Sequence, residues 1–176
     1  MTPAVFLDRD GVINEDSAYV SRPEDFVFRP GVIAELAAIQ RLGYRLIVVT
    51  NQSGIGRGLY SEEDYRRVTQ HMLQALAAGG VTIDAIYHCP HPETAHCHCR
   101  KPAPGMIQQA QREHNIDLSN SWLVGDKSGD IEAAHRAGID QTLRIQSRYA
   151  DDPAHAKPLY VGDSLAAIIP RLQPLP

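Results

Sequence analysis

The chain has 176 residues, 43% of them hydrophobic, which suits a single compact domain over residues 1–176 that buries roughly two-thirds of its unfolded surface. With 17 Lys and Arg against 21 Asp and Glu, the formal net charge of -4 gives nucleic acid or an anionic membrane no basic field to bind. No run of about 18 apolar residues spans a bilayer, no basic leader precedes the first apolar stretch, and the three cysteines crowd into one segment instead of a disulfide framework; a cytoplasmic monomer acting on a small molecule is expected.

Short runs rich in Val, Ile and Leu alternate with segments of helical periodicity, which predicts an α/β fold: a doubly wound, mostly parallel, Rossmann-like sheet with helices on both faces. The first predicted strand, residues 4–7, runs into Asp8-Arg9-Asp10-Gly11-Val12. A helix over 31–42 sets Ile33, Leu36, Ala37 and Ile39 on one side and stops at Gly43 in a left-handed conformation. The second strand, 46–49, leads to Thr50-Asn51-Gln52-Ser53-Gly54. Ser61 caps the next helix, whose acidic first turn opposes the positive helix end; Tyr65, Val68, Met72, Leu73 and Leu76 form its stripe, and Gly79-Gly80 ends it. After a third strand at 85–87, residues 88–104 are too rich in Pro, His and Cys to be helix or strand. A helix over 105–114 leads to the fourth strand, 122–124, and to Gly125-Asp126-Lys127-Ser128-Gly129-Asp130. A helix over 131–137, a fifth strand at 142–145, a helix near 164–169 and a tail that frays from Pro170 complete the prediction.

The polar residues fall at strand ends. Open parallel sheets place ligand crevices beyond the carboxyl ends of their strands, so Asp8, Thr50 and Asp126 are expected to converge. Two acids one residue apart can divide phosphoryl transfer: Asp8 attacks phosphorus to give an acyl phosphate while Asp10 handles the proton. Mg²⁺ takes one or two carboxylates with water and phosphate, and Asp126 is placed to complete that set. Thr50 and the N–H groups after it suit a transferring phosphate oxygen, and Lys101 of Arg100-Lys101-Pro102 supplies a point charge. Singly, these residues read as a turn acid, an N-cap and a solvated basic pair. Asp130 reads equally as a brace for the loop or Lys101 and as a first-turn acid of the next helix.

Cys89-Pro90-His91 and Cys97-His98-Cys99 bring enough soft and borderline ligands for a tetrahedral, structural Cys₃His zinc site. His88, His96 and His98 compete for the fourth position, and a disulfide with one free thiol is the rival explanation. The loop continues straight into Arg100-Lys101, so a metal would also fix Lys101.

In this order, the four strand-end and basic-loop motifs resemble the haloacid-dehalogenase-like phosphatase superfamily, and the cysteine loop makes them similar to its histidinol-phosphatase-related subfamily. The likeness extends to about Ile145. It implies Asp8 as nucleophile, Asp10 as general acid and base, Thr50 and Lys101 as phosphate binders, and Mg²⁺ on Asp8, Asp126 and the Asp10 carbonyl. It further implies zinc on Cys89, His91, Cys97 and Cys99, and Asp16, Ser17, Ala18, Tyr19, Asn51, Gln52, Ser53, Arg100 and Lys127 near the substrate. The substrate implied is a phosphorylated sugar, a heptose 1,7-bisphosphate that loses its C7 phosphate in lipopolysaccharide-core synthesis. Spans of about forty and about fifty residues between the first three motifs are filled by ordinary helices and connections, so no cap domain is expected. Histidinol phosphate is the alternative substrate, although Arg100 and Lys127 suit a second phosphate better than an ammonium. A catalytically silent, zinc-stabilised binding module is the alternative of another class. Acid catalysis by Asp10 asks for a raised pKa.

Overall fold

A strand with no polar side chain is stable only where both of its faces are covered. In the computed structural model, which describes residues 1–146 and 156–175, β1 (Ala4–Leu7) is such a strand, fully buried along its length. Val5 and Leu7 pack into one core with α1 (Val32–Arg41), and Ala4 and Phe6 into a second core on the opposite face. The same alternation divides β2 (Arg45–Asn51), with Leu46 and Val48 on the first side and Ile47 and Val49 on the other.

After the short α2 (Ser53–Gly56), α3 (Glu62–Ala78) joins α1 on the first face through Val68, Met72 and Leu76. Ser61 caps α3 reciprocally: its Oγ accepts from the Asp64 N–H, and Asp64 Oδ2 accepts from the Ser61 N–H. Then follow β3 (Ala85–Cys89), α4 (Gly105–His114), β4 (Trp122–Gly125), α5 (Ser128–Ala137), β5 (Gln141–Ile145) and β6 (Tyr160–Gly162). Met106, Ile107 and Ala110 of α4, with Ile131, Ala133 and Ala134 of α5, fill the second core.

The sheet order is β3-β2-β1-β4-β5-β6, and every strand pair is parallel. The chain winds outward from β1 in one direction, then returns to build in the other. This reversal opens a crevice beyond the carboxyl ends of β1 and β4.

Several boundaries differ from the sequence expectation. Pairing of Thr50 with His88 and of Asn51 with Cys89 carries β2 and β3 further, so the first cysteine is a strand residue. α5 starts at Ser128 rather than 131, because Asp130 Oδ2 accepts from the N–H groups of Asp126 and Lys127 and closes the first turn. The helix expected near 164–169 is instead two 3₁₀ turns, Leu165–Ala167 and Ile169–Arg171, with Pro170 inside the second. The tail does not fray through residue 175: Leu172 is buried and the Leu175 N–H donates to the Leu42 carbonyl. Its partner turn contains Gly43, at φ +94°, where a Cβ would stand 2.9 Å from Leu175 Cβ. Among the described residues, no helix is long and apolar enough to cross a membrane.

Candidate active site

Asp8 leaves the end of β1 with its N–H still bonded to the Val124 carbonyl of β4 at 2.9 Å, so the sheet ladder fixes it. The chain then turns at Gly11, φ +87°, where a Cβ would lie 2.4 Å from Asp126 Oδ2. Only glycine lets Asp126, at the end of β4, approach this turn. Asp8, Asp126 and Asp130 are all buried, with ligand oxygens within 4.8 Å of one another.

Lys101 is buried against this cluster, its Nζ 3.0 Å from Asp8 Oδ1, 2.7 Å from Asp130 Oδ1 and donating to the Val49 carbonyl at 2.7 Å. Burial alone would lower its pKa, but Asp130 and Asp8 more than offset this and hold the ammonium charged. Asp130 therefore does both things that the sequence left open, bracing Lys101 with one oxygen and closing the start of α5 with the other.

Both carboxylate oxygens of Asp126 are buried without a hydrogen-bond partner among the described residues. Burial, then the charges of Asp8 and Asp130, push its pKa up to about 8; burial in the same acidic group pushes Asp8 to about 6 despite Lys101. A carboxylate withdrawn from water with no donor fits a hard, oxygen-seeking divalent cation, which would relieve the repulsion.

Asp10 departs from expectation. Burial favours its neutral form, but Arg9, Asn14 and Gln52 outweigh it and lower the pKa. Arg9 Nη2 and Asn14 Nδ2 each donate to Oδ1 at 3.0 Å, and Gln52 Nε2 donates to Oδ2 at 3.0 Å. The ligand-free carboxyl is held ionised.

A cavity of about 510 Å³ opens over these groups. Asp8, Asp10, Lys101 and Asp126 line it, together with Asp16, Ala18, Tyr19, Asn51, Gln52, Ser53, Arg100 and Lys127. Thr50 lies fully buried in β2, its Oγ1 accepting from Gln52 Nε2 at 2.9 Å. Ser17 is exposed and is not among the lining residues. Asn51 clamps Lys101 twice, donating to its carbonyl and accepting from its N–H, both at 3.1 Å. At the rim, Lys127 pairs with Asp16 at 3.0 Å, Arg100 with Glu93 at 3.1 Å, and Arg57 donates to the Tyr19 hydroxyl at 2.9 Å. Ala18 and Tyr19 hold positive φ, 62° and 50°, within this rim.

Four residues in or beside the cavity escaped the sequence reading. Asn14 sits four residues after Asp10, and its spacing is a usable signal once the turn is known to close on itself. Arg9 is fully buried beside Asp10, Tyr60 donates to Gln52 Oε1 at 2.6 Å, and Glu93 reaches Arg100. Nothing in the local pattern of these three distinguishes them from surface or core residues.

Cys89, His91, Cys97 and Cys99 form the second ligand cluster. All three thiols are free, so no disulfide forms. Ligands on a tetrahedral zinc with bonds of about 2.3 Å stand roughly 3.8 Å apart. His91 Nδ1 lies 3.5 and 3.3 Å from the sulfurs of Cys89 and Cys99, Cys97 is 3.5 Å from each of the other sulfurs, and Cys89 and Cys99 are closer, at 2.7 Å. Burial and its neighbours raise the Cys89 thiol, whereas N–H groups and the two other thiols outweigh burial at Cys97 and lower it to about 6. Of the competing histidines, His88 stacks on Tyr65 and bonds Glu62, and neither His96 nor His98 belongs to the cluster.

A family model described as HAD-hydrolase-like matches residues 98–168. A Vibrio cholerae protein named D-glycero-beta-D-manno-heptose-1,7-bisphosphate 7-phosphatase is 45% identical over 175 residues, covering 95% of this chain and 90% of that one. A Burkholderia mallei protein named D-glycero-alpha-D-manno-heptose-1,7-bisphosphate 7-phosphatase is 49% identical over 160 residues, covering 87% of this chain and 85% of that one. The crystal structure of D,D-heptose 1,7-bisphosphate phosphatase from B. bronchiseptica, complexed with magnesium and phosphate, matches with a TM-score of 0.84 at 31% identity and 97% coverage of both chains.

Proposed function

The chain belongs to the haloacid-dehalogenase-like phosphatases, alongside its heptose-bisphosphate phosphatase relatives, and on that premise we propose that it hydrolyses the C7 phosphate of a D-glycero-D-manno-heptose 1,7-bisphosphate through a phosphorylated Asp8. The observation that carries this reading is the convergence of Asp8, Asp10, Lys101 and Asp126 on one cavity from separate strand ends and a loop.

Asp8 attacks phosphorus in line, its carboxylate held by Lys101 Nζ and the Arg9 N–H. As the bond to the sugar oxygen breaks, Asp10 gives that oxygen a proton. Asp10 then accepts a proton from the water that splits the acyl phosphate, which returns both acids to their starting states. Its low pKa in the free chain calls for substrate to load the proton, and a phosphate dianion beside Asp10 raises its proton affinity in the required sense. Thr50 and Lys101 serve the transferring oxygens. Asp8, Asp126 and the Asp10 carbonyl would hold Mg²⁺, which supplies charge neutralisation on the phosphoryl oxygens.

Cys89, His91, Cys97 and Cys99 would hold a structural zinc. Support comes from their spacing and from the convergence of their ligand atoms on one point. The three unpaired thiols agree with a reducing cytoplasm. Arg100 and Lys127, at the rim, suit the phosphate that is left on the product. Both would have to exchange Glu93 and Asp16 for it.

The test is a side-by-side measurement of kcat/KM for both heptose bisphosphate anomers and histidinol phosphate. A heptose bisphosphate is expected to be preferred; a clear excess for histidinol phosphate overturns the substrate and spares the chemistry. Phosphate release that is independent of magnesium and persists in Asp8→Asn overturns both.

A further inference from the structure

Among the described residues, every side chain bonded to Asp10 is a donor, from Arg9 and Asn14 on Oδ1 and from Gln52 on Oδ2. A proton arriving on Asp10 is therefore offered to the cavity, because none of these three partners accepts it. That holds only while Gln52 keeps its nitrogen toward Asp10. A half-turn of the carboxamide would bring Oε1 there instead, and an acceptor at hydrogen-bond distance would capture the proton that the leaving oxygen needs.

The far end of the carboxamide decides the matter. Tyr60 Oη donates to Gln52 Oε1 at 2.6 Å in a buried bond, and burial pushes the phenol up to about 12, so it remains a donor. Turning Gln52 over would leave the Tyr60 proton without its acceptor and set Oε1 against the Asp10 carboxylate. Thr50 Oγ1 takes the other Nε2 bond at 2.9 Å. The seat for the Tyr60 ring is specific to glycine: a Cβ on Gly54 would lie 2.1 Å from Tyr60 Cε1.

We propose that Tyr60 is a positioning residue for acid catalysis: by occupying Gln52 Oε1 it fixes the carboxamide so that Asp10 presents its proton on Oδ2 to the departing oxygen. The Asp10 O–H bond breaks as the new O–H bond to the sugar oxygen forms, and Gln52 donates throughout. This rests on the phosphatase reading above and names a residue that serves it without touching the phosphate.

The experiment is steady-state kinetics on magnesium-loaded enzyme with the heptose bisphosphate, comparing wild type, Tyr60→Phe, Gln52→Ala and the double variant, with Asp8→Asn as control. Tyr60→Phe is expected to lower kcat about tenfold with KM held within about twofold, and to lower the melting temperature by a few degrees at most, since Gln52 Oε1 loses its donor. In the Gln52→Ala background the same change is expected to cost nothing further, since its route to Asp10 is gone. A wild-type kcat in Tyr60→Phe, or an undiminished loss in the Gln52→Ala background, overturns the proposal while leaving the phosphatase reading intact. Activity retained in Asp8→Asn overturns the reading beneath it.

Discussion

Among the described residues, two clusters of side chains could hold a metal ion, and opposite physical devices assemble them. Asp8, Asp126 and Asp130 are buried and hang from β1, β4 and the first turn of α5, where backbone ladders place them whether or not a cation is present. Of the second cluster only Cys89 stands on a strand; His91 is exposed, and Cys97 and Cys99 are half-buried in a loop, against the edge of the second core. The sheet can afford three repelling carboxylates because the rest of the fold holds them, and the strain is available to bind a cation and a phosphate. The loop has fewer such anchors, so a metal on its ligands is expected to contribute to folding. On this account the first site is for chemistry and the second for stability, and they meet at Lys101, two residues beyond Cys99.

The largest effect that would break this division is on turnover. Asp8→Asn and Asp10→Asn are each expected to lower kcat by at least about a hundredfold; the melting temperature should hold in Asp8→Asn, which removes a charge that burial disfavours, and fall in Asp10→Asn, which leaves the buried Arg9 without its carboxylate partner. Near-normal turnover in either would remove its role. Next comes Cys97→Ser, expected to lower the melting temperature by several degrees while reducing kcat far less than the Asp8 change; metal analysis should find about one zinc per wild-type chain. A zinc-free protein of equal stability would erase the contrast.

A subtler effect separates the clusters by pH. Burial raises the carboxyls of Asp126 and Asp8 to about 8 and about 6, from 3.8. The folded chain thus holds protons that the unfolded chain has released, and without magnesium stability falls as pH rises from about 4 toward 8. Thermal melts at fixed zinc should show that decline, and added magnesium should flatten it. A metal-independent, flat profile would mean that the acids do not repel as described. The smallest effect is at the rim: Lys127→Ala, which removes a partly exposed ion pair with Asp16, is expected to raise KM for the bisphosphate a few-fold with little change in kcat.

The sequence disclosed the parts fixed by backbone pattern. Apolar strands ending in Asp8, Thr50 and Asp126 located the crevice, because a doubly wound sheet leaves few places for strand-end polar residues to go. The cysteine spacing located the second cluster but left its histidine open, since His91, His96 and His98 differ only in how the loop folds back. The ionised state of Asp10 in the ligand-free chain was not legible. Burial was foreseeable, whereas the three donors that outweigh it come from a turn that closes on Asn14 and from a different strand's end at Gln52. Tyr60 was invisible for the same reason: it reaches Gln52 only because Gly54 clears a path for its ring. The C-terminal helix was overread, since the apolar spacing was genuine but Pro170 allows only short 3₁₀ turns there.

The central claim is covalent, and rapid quenching tests it directly. Enzyme mixed with magnesium and substrate, stopped in acid and digested, is expected to carry one added phosphoryl group on the peptide containing Asp8, discharged by hydroxylamine and missing from Asp8→Asn. A phosphoryl group on any other residue, or full turnover with no phosphorylated enzyme detectable at any quench time, would contradict the account.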